Sequence, residues 1–447
     1  MLGSILQKFR SSDFSKNTFI IMLGTIFSQF VLIAATPWLS RIYTPDEFGL
    51  YGMFIGMAML LGSAMTLRYT IAIMIADTSE KAHDVVKLCL LLSVCITVIL
   101  TGVAAVFYAP LQGLLNLKDI GYYLILLPVY AGVLGINETL FSWLNRNKAY
   151  NYISINRIVT SSLTLATTLL WGYFVDRTAH GLIMGSLVGQ GMGTVLLFFR
   201  GLRFRPFDFH IDLPRIRAMA RQYRSFPIYT LPSEFINIFT NQLPVFMLNS
   251  LMKNSAAAGN FSMTNRVLGI PLVFVSNSIS EVFRQKAADE YRLKGTCRPL
   301  FLKTTGALAA MGIIPFAVLF FFGPQIFTFV LGPKWTQAGE YARVLAPLFC
   351  LKFIVSPMTV TFFIAQKQRV DFYIHIAMLT LTAAPFYIAN YYYHNTYYAL
   401  IGFSLAYSLI YLPYFYLSLK FATNEAHTPP PQDPVVVPGL VSQPETI

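Results

Sequence analysis

An all-α membrane protein with twelve transmembrane helices, arranged as two six-helix lobes around a central cavity, is the fold this sequence predicts. Three observations predict it. Of the 447 residues, 55% are hydrophobic and only 12% are charged, about half the charged share of a soluble domain. Apolar runs recur from end to end, each long enough at about 1.5 Å per residue to cross a hydrocarbon core of roughly 30 Å. Lys and Arg are also biased about five to one towards the side that would hold both termini, the bias that places basic connections in the cytoplasm. The short alternating segments that a membrane-spanning barrel needs are not seen in the pattern.

The first run, Thr18 to Leu39, follows Lys8, Arg10 and Lys16 and is 22 residues long. It is too long for a typical signal-peptide core, so it is read as an uncleaved helix after a cytoplasmic segment, 1–17. A polar corner with Pro45, Asp46 and Glu47 turns the chain into a second run from Gly49 that carries Arg68. The expected spans are 18–39, 49–75, 88–108, 121–141, 158–175 and 181–199, then 227–250, 259–282, 304–322, 340–365, 372–390 and 397–419. The N-terminal lobe is therefore 18–199 and the C-terminal lobe 227–420. The basic connection 200–226 separates them; its part from Arg215 to Arg224 sets Ile216, Met219, Ala220 and Tyr223 at helical spacing among arginines. That pattern suits a short amphipathic helix on anionic lipid headgroups, in a hinge-like linker.

The halves echo each other. Phe107 to Pro110 (FYAP) corresponds to Phe321 to Pro324 (FFGP), and Asn145 to Lys148 (NRNK) to Gln366 to Arg369 (QKQR). Six spans per half make this a parallel repeat about an axis along the membrane normal. The tail 421–447 is proline-rich and is expected to be disordered and cytoplasmic.

Polar residues inside the spans are the candidate functional groups. Helix eight sets Arg266, Ile270, Val273, Asn277, Glu281 and Arg284 on one stripe by spacing. Helix seven carries Glu234, Asn237 and Asn241, with Pro227, Pro232 and Pro244 expected to kink it. Helix one offers Thr25, Gln29 and Thr36; helix five Arg157, Ser161, Thr164 and Thr168; helix ten Lys352 and Ser356; helix four Asn137 and Glu138. Ser and Thr in membrane helices serve mostly as interhelical glue, and Glu138, Glu281 and Arg284 sit where a side chain snorkels. Arg68, Arg266, Lys352 and Glu234 lie deeper, where an ionised group needs a partner or water. Glu234 is a candidate for ion coupling or for pairing with one of the bases, and Glu281 shares that assignment. By span position Arg266 lies in the outer half, Lys352 near the middle and Arg68 towards the inner side. Such a series of positive charge makes a path for an anionic cargo, and arginine matches diphosphate oxygens by paired hydrogen bonds.

Several function classes fall away. The net charge of +13 is carried by dispersed loop residues, without the single-domain clustering that nucleic-acid binding needs. The four cysteines imply no disulfide framework, and the histidines do not pair with them at metal-ligand spacing. No glycine loop with a following Lys and Ser/Thr suggests ATP hydrolysis, and no cofactor is expected beyond H⁺ or Na⁺ as a coupling ion. A membrane glycan polymerase or ligase is disfavoured because the longest outer segment, Gly323 to Gly339, has about 17 residues, too few for a catalytic domain.

Ordered fragments then resemble a known family. They are LGTIFSQ (Leu23 to Gln29), PWLSRIYTPDEFG (Pro37 to Gly49), LRYTIAI (Leu67 to Ile73), FPIYTLPSEFIN (Phe226 to Asn237), AAAGNFSMTNRVLGIP (Ala256 to Pro271) and GPKWTQAGEYARVLAP (Gly332 to Pro347). Together, over residues 16–420, they resemble the Wzx-type O-antigen and polysaccharide flippases of the multidrug/oligosaccharidyl-lipid/polysaccharide exporter superfamily. The resemblance implies a non-enzymatic flippase of the bacterial inner membrane, both termini cytoplasmic. It would carry an undecaprenyl-diphosphate-linked oligosaccharide between leaflets by alternating access, beside membrane lipids and the glycan polymerase and chain-length machinery as partners. It also implies that bases on helices one, two and eight line the cavity, which points to Arg41, Arg68 and Arg266 here. A multidrug antiporter of the same superfamily is the rival, expected to use embedded carboxylates for coupling; lipid II is the alternative cargo.

Overall fold

The computed structural model describes residues 24, 27–114, 121–204, 212–365 and 367–423. The N-terminal segment 1–17, the start of the first expected span with Thr25, the linker stretch 205–211 and the tail beyond 423 lie outside the described residues. So do the side chains of Val273, Asn277, Glu281 and Gln285.

The described residues are helical almost throughout. The first helix runs over 27–34 and continues as α1 (Thr36–Ile42); a corner then leads into α2 (Pro45–Met65). The polar corner has a physical purpose. Thr44 and Glu47 form a reciprocal capping box and Pro45 opens the helix, satisfying N–H groups that would otherwise lack acceptors. A short α3 (Thr70–Ile75) precedes α4 (Ser79–Val106), α5 (Tyr108–Leu114), α6 (Tyr123–Arg146), α7 (Tyr150–Phe174) and α8 (Ala179–Phe204). The linker helix α9 (Leu213–Gln222) follows. The second half holds α10 (Leu231–Phe246), α11 (Ser255–Pro271), α12 (Asn277–Lys294), α13 (Arg298–Leu331), α14 (Thr336–Val355), α15 (Val360–Ile364), α16 (Gln368–Ile388) and α17 (Thr396–Lys420). Among the described residues nine helical stretches are long and apolar enough to cross a membrane. The helices at 27–42, at Tyr150–Phe174 and around Leu231–Phe246 occupy the other three expected positions.

The second expected span does not run unbroken to residue 75. It stops at Met65, and Leu67 and Arg68 take left-handed conformations with φ of 47° and 60°. For residues with a Cβ this costs about 1–2 kcal/mol each, so local contacts must hold the turn. Arg146 helps: its guanidinium donates to the carbonyls of Ile73 (2.8 Å) and Ala76 (2.7 Å) at the end of α3.

Prolines shape the second half. π turns occur at Phe226–Thr230, Met247–Leu251, Leu272–Ser276 and Ala389–Tyr393. Each contains or closely follows a proline: Pro227, Pro244, Pro271 and Pro385. A proline donates no backbone hydrogen bond and crowds the carbonyl four residues back, so neighbouring N–H groups reach one residue further. The expected stripe on helix eight assumes an unbroken α register, and the π turn after Pro271 interrupts that register between Ile270 and Asn277.

The first half is joined by small residues. Gly185, Gly189 and Gly193 of α8 sit against Thr168, Thr164 and Thr160 of α7; a Cβ at Gly185 would come within 2.0 Å of the Thr168 hydroxyl. These threonines are interhelical contacts, as their residue type suggests. The linker helix α9 is capped by Asp212, whose side chain accepts from the Arg215 N–H at 3.3 Å. Its apolar face is buried in protein, not in lipid: Ile216, Met219 and Tyr223 pack with Tyr69, Val85, Val86, Cys89 and Trp143, and Tyr69 donates to the Ala220 carbonyl at 3.0 Å.

A basic cavity between the two halves as candidate functional site

The halves meet along α2, which packs on α10 and α11. At the end that carries Pro45 they are closed. There Gly49 and Gly259 allow α2 and α11 to touch by main chain alone: a Cβ at Gly259 would lie 1.8 Å from the Pro45 carbonyl oxygen, and one at Gly49 1.9 Å from that of Ser255. Beside this crossing Trp335, fully buried, donates from its indole to the Ser40 carbonyl at 2.9 Å. Its ring meets Phe48 edge-on at 5.2 Å, and Ser40 donates to the Leu331 carbonyl at 2.9 Å. The seal thus joins α1 and α2 to the second half.

Below it lies a cavity of about 400 Å³ between the first helix, α11 and α14. Gln29, Arg266 and Lys352 line it, together with Leu32, Ile270 and Phe349. Within the continuous helical stretches Ser255–Lys294 and Pro333–Ile364, Arg266 stands well after the start and Lys352 well before the end, so at about 1.5 Å per residue each is more than about 15 Å from either end of its stretch. The guanidinium of Arg266 donates to the Leu32 carbonyl at 3.4 Å. Lys352 donates to Asn241 Oδ1 at 3.3 Å, and Asn241 in turn donates to Asn237. The ammonium also faces the rings of Phe349 and Tyr407 at 5.8 and 5.7 Å, contacts that favour a cation. Among the described residues neither Arg266 nor Lys352 has a carboxylate within 4.0 Å. Among the described residues two positive charges therefore share one space without a carboxylate counter-ion, which leaves the site fit for an external anion.

Other expected site residues go elsewhere. Arg68, expected to line the cavity, instead closes an ion cluster at the linker end: its guanidinium lies 3.1 Å from Glu138 and 4.0 Å from Glu234. Thr70 also donates to Glu138 at 3.0 Å. Glu138 belongs to the first half and Glu234 to the second, so this cluster bridges them, and Glu234 is occupied by charge pairing. Arg41 is exposed in the last turn of α1 at the closed end and does not line the cavity. Thr36 donates within its own helix to Leu32, Asn137 donates to Thr194, and Arg157 stacks over Phe141 at 5.1 Å. Asn277 and Glu281 fall on side chains outside the described ones. Sequence reasoning missed the ring of Phe349, hidden in an apolar run, and the Gly49–Gly259 crossing, whose only signal is one glycine in each of two family-like fragments.

Residues 38–340 match a family model described as polysaccharide biosynthesis protein. The chain belongs to that family. A polysaccharide biosynthesis protein of this kind has a curated relative in the succinoglycan biosynthesis transport protein ExoT of Rhizobium meliloti (strain 1021), 24% identical over 337 residues. That alignment covers 72% of this chain and 63% of ExoT, so the chain spans less than two thirds of the relative's length. Among solved structures it resembles the lipid II flippase MurJ in an inward closed conformation, with TM-score 0.68, 14% identity, and 91% of this chain and 87% of that one covered. It also resembles an inward-facing multidrug resistance MATE transporter of the MOP superfamily, with TM-score 0.66, 14% identity, and 91% and 97% covered. The corresponding outward-facing transporter fits with TM-score 0.52, 13% identity, and 93% and 97% covered. The fold is that of these transporters.

Proposed function

We propose that this polysaccharide biosynthesis protein is a flippase that moves an undecaprenyl-diphosphate-linked oligosaccharide, an O-antigen or related surface-glycan repeat unit, from the inner to the outer leaflet of the bacterial inner membrane. The observation that carries the reading is the pair Arg266 and Lys352 facing one cavity with no carboxylate beside them among the described residues. A diphosphate supplies the missing negative charge, while the polyprenyl tail stays in lipid and the sugars pass between the halves. The bias of basic residues supports cytoplasmic termini; the Pro45 end is then the outer end, and the closed seal there corresponds to an inward-facing state of an alternating-access cycle.

Deleting the gene and locating lipid-linked repeat units tests this. Accumulation on the cytoplasmic face, relieved by the wild-type gene and not by a variant lacking both Arg266 and Lys352, is the expected result. Normal surface glycan together with altered drug tolerance would instead indicate a small-molecule antiporter. That rival has less support, since Glu234, the one acidic residue expected deep in a span, is already paired with Arg68.

A further inference from the structure

The contacts that hold the two cavity bases share one property. Lys352 donates to the side-chain oxygen of Asn241 at 3.3 Å and lies over the rings of Phe349 and Tyr407, while Arg266 donates to the Leu32 carbonyl. Among the described residues each of these partners is neutral. Asn241 is the one whose side chain has an ionised counterpart of the same shape, aspartate. An ammonium only donates, so the carboxamide oxygen of Asn241 must face Lys352. The amide nitrogen then points back along α10, donating to the Asn237 carbonyl at 2.9 Å and to its side-chain oxygen at 3.3 Å. Those bonds fix the orientation of the amide. Asn241 is exposed, so water and a cargo in the cavity reach the same group.

Asparagine in a membrane helix serves as interhelical glue, and a bond between α10 and α14 is such a contact. Glue alone does not call for a neutral group, since a carboxylate would add Coulomb attraction to the same hydrogen bond. We propose that Asn241 is the positioning and specificity-determining residue of the cargo site: its carboxamide fixes the Lys352 ammonium while leaving the charge uncompensated, so that the site prefers a diphosphate over a neutral lipid of the same length. The four-carbon stem of lysine is flexible. Its contacts with the amide and the two rings remove that freedom before cargo arrives, so less ordering is left to be met on binding. A carboxylate at the same place would occupy the ammonium, and a cargo anion would have to displace it.

The proposal rests on reading the cavity as the cargo site, and its test separates the two. Solubilised wild type, Asn241→Asp, Asn241→Ala and Lys352→Met are titrated with farnesyl diphosphate and with farnesol, a neutral probe of the same chain length, and melted in the same detergent. Asn241→Asp should melt at or above the wild-type temperature yet bind farnesyl diphosphate about 10- to 100-fold more weakly, the loss expected from cancelling one charge across the cavity, with farnesol affinity unchanged. Asn241→Ala should weaken farnesyl diphosphate binding about two- to tenfold, the worth of one hydrogen bond. Added to Lys352→Met it should cost nothing further, because it acts only through that side chain. Ser233→Asp adds the same charge at an exposed position eight residues earlier on α10, about 12 Å away along the helix, and should keep wild-type selectivity. An asparagine that serves only as glue predicts Asn241→Asp binding both probes like the wild type, or losing both together with stability, and either result overturns the assignment. If Asn241→Asp binds farnesyl diphosphate like the wild type while Lys352→Met does not, the cargo reading stands without it; if Lys352→Met binds no worse than the wild type, both fall.

Discussion

Removing the charge of Lys352 is the sharpest probe of the cavity, and the size of its effect follows from the geometry. A space of about 400 Å³ corresponds to a sphere of roughly 4.6 Å radius, so a phosphate at its centre lies about 5 Å from an ammonium on the wall. At an effective dielectric of about 20 that pair interacts by about 3.3 kcal/mol per unit charge. Water and counter-ions enter the space and reduce this, leaving about 1.5–3 kcal/mol, or a 10- to 100-fold loss of affinity. Lys352→Met should show that loss for farnesyl diphosphate in equilibrium titration on solubilised protein, and Lys352→Arg should restore most of it. Arg68→Met should change affinity by less than about threefold, because Arg68 is engaged by Glu138 and Glu234; a weak screened pair contributes little at a distance. If Lys352→Met binds like wild type while Arg68→Met loses affinity, the assignment of cargo contact to the cavity is wrong and the linker-end cluster is the site.

Further outcomes test the remaining geometry. A double-mutant cycle on Arg68→Ala and Glu138→Gln, read by unfolding in detergent, should give a coupling of about 1 kcal/mol, the value for a part-exposed pair. Arg68→Ala alone should also speed labelling of cysteines placed between the halves at the linker end, since it removes the contact to Glu234. Gly259→Leu should force α2 from α11, and a cysteine introduced near Ser255 should become accessible to an impermeant reagent added from outside the cell. Gly189→Val should lower the melting temperature through overpacking of about 1–3 kcal/mol against Thr164, whereas Gly191→Val, with open space around it, should not.

Much of this architecture can be read from the residues, and the failures have physical causes. Twelve apolar stretches are visible because lipid demands them, yet their ends are not. α4 begins at Ser79 where hydropathy suggests 88, and α13 runs from Arg298 to Leu331 where it suggests 304–322. Helices continue past the hydrocarbon on capping residues such as Thr78, where hydropathy is silent. Gln29, Arg266 and Lys352 were legible as polar groups inside apolar runs, and the fold brings them to one cavity. Arg68 stood out equally, but its fate depends on Glu138, 70 positions away, and no local pattern records that distance. Spacing arguments on helix eight assume an unbroken α register, which the Pro271 π turn interrupts.

All four π turns among the described residues lie in the second half, while α7 and α8 of the first half are knitted by glycine and threonine at every turn of their contact. Stiffness is thus unevenly allotted. In the proposed alternating-access cycle, the N-terminal six helices should swing as one stiff body, and the bending should fall on α10, α11 and α16. Lys352 is anchored to the compliant side through Asn241, so its reach towards Arg266 would lengthen or shorten with each stroke, and grip on the cargo would change with the stroke itself.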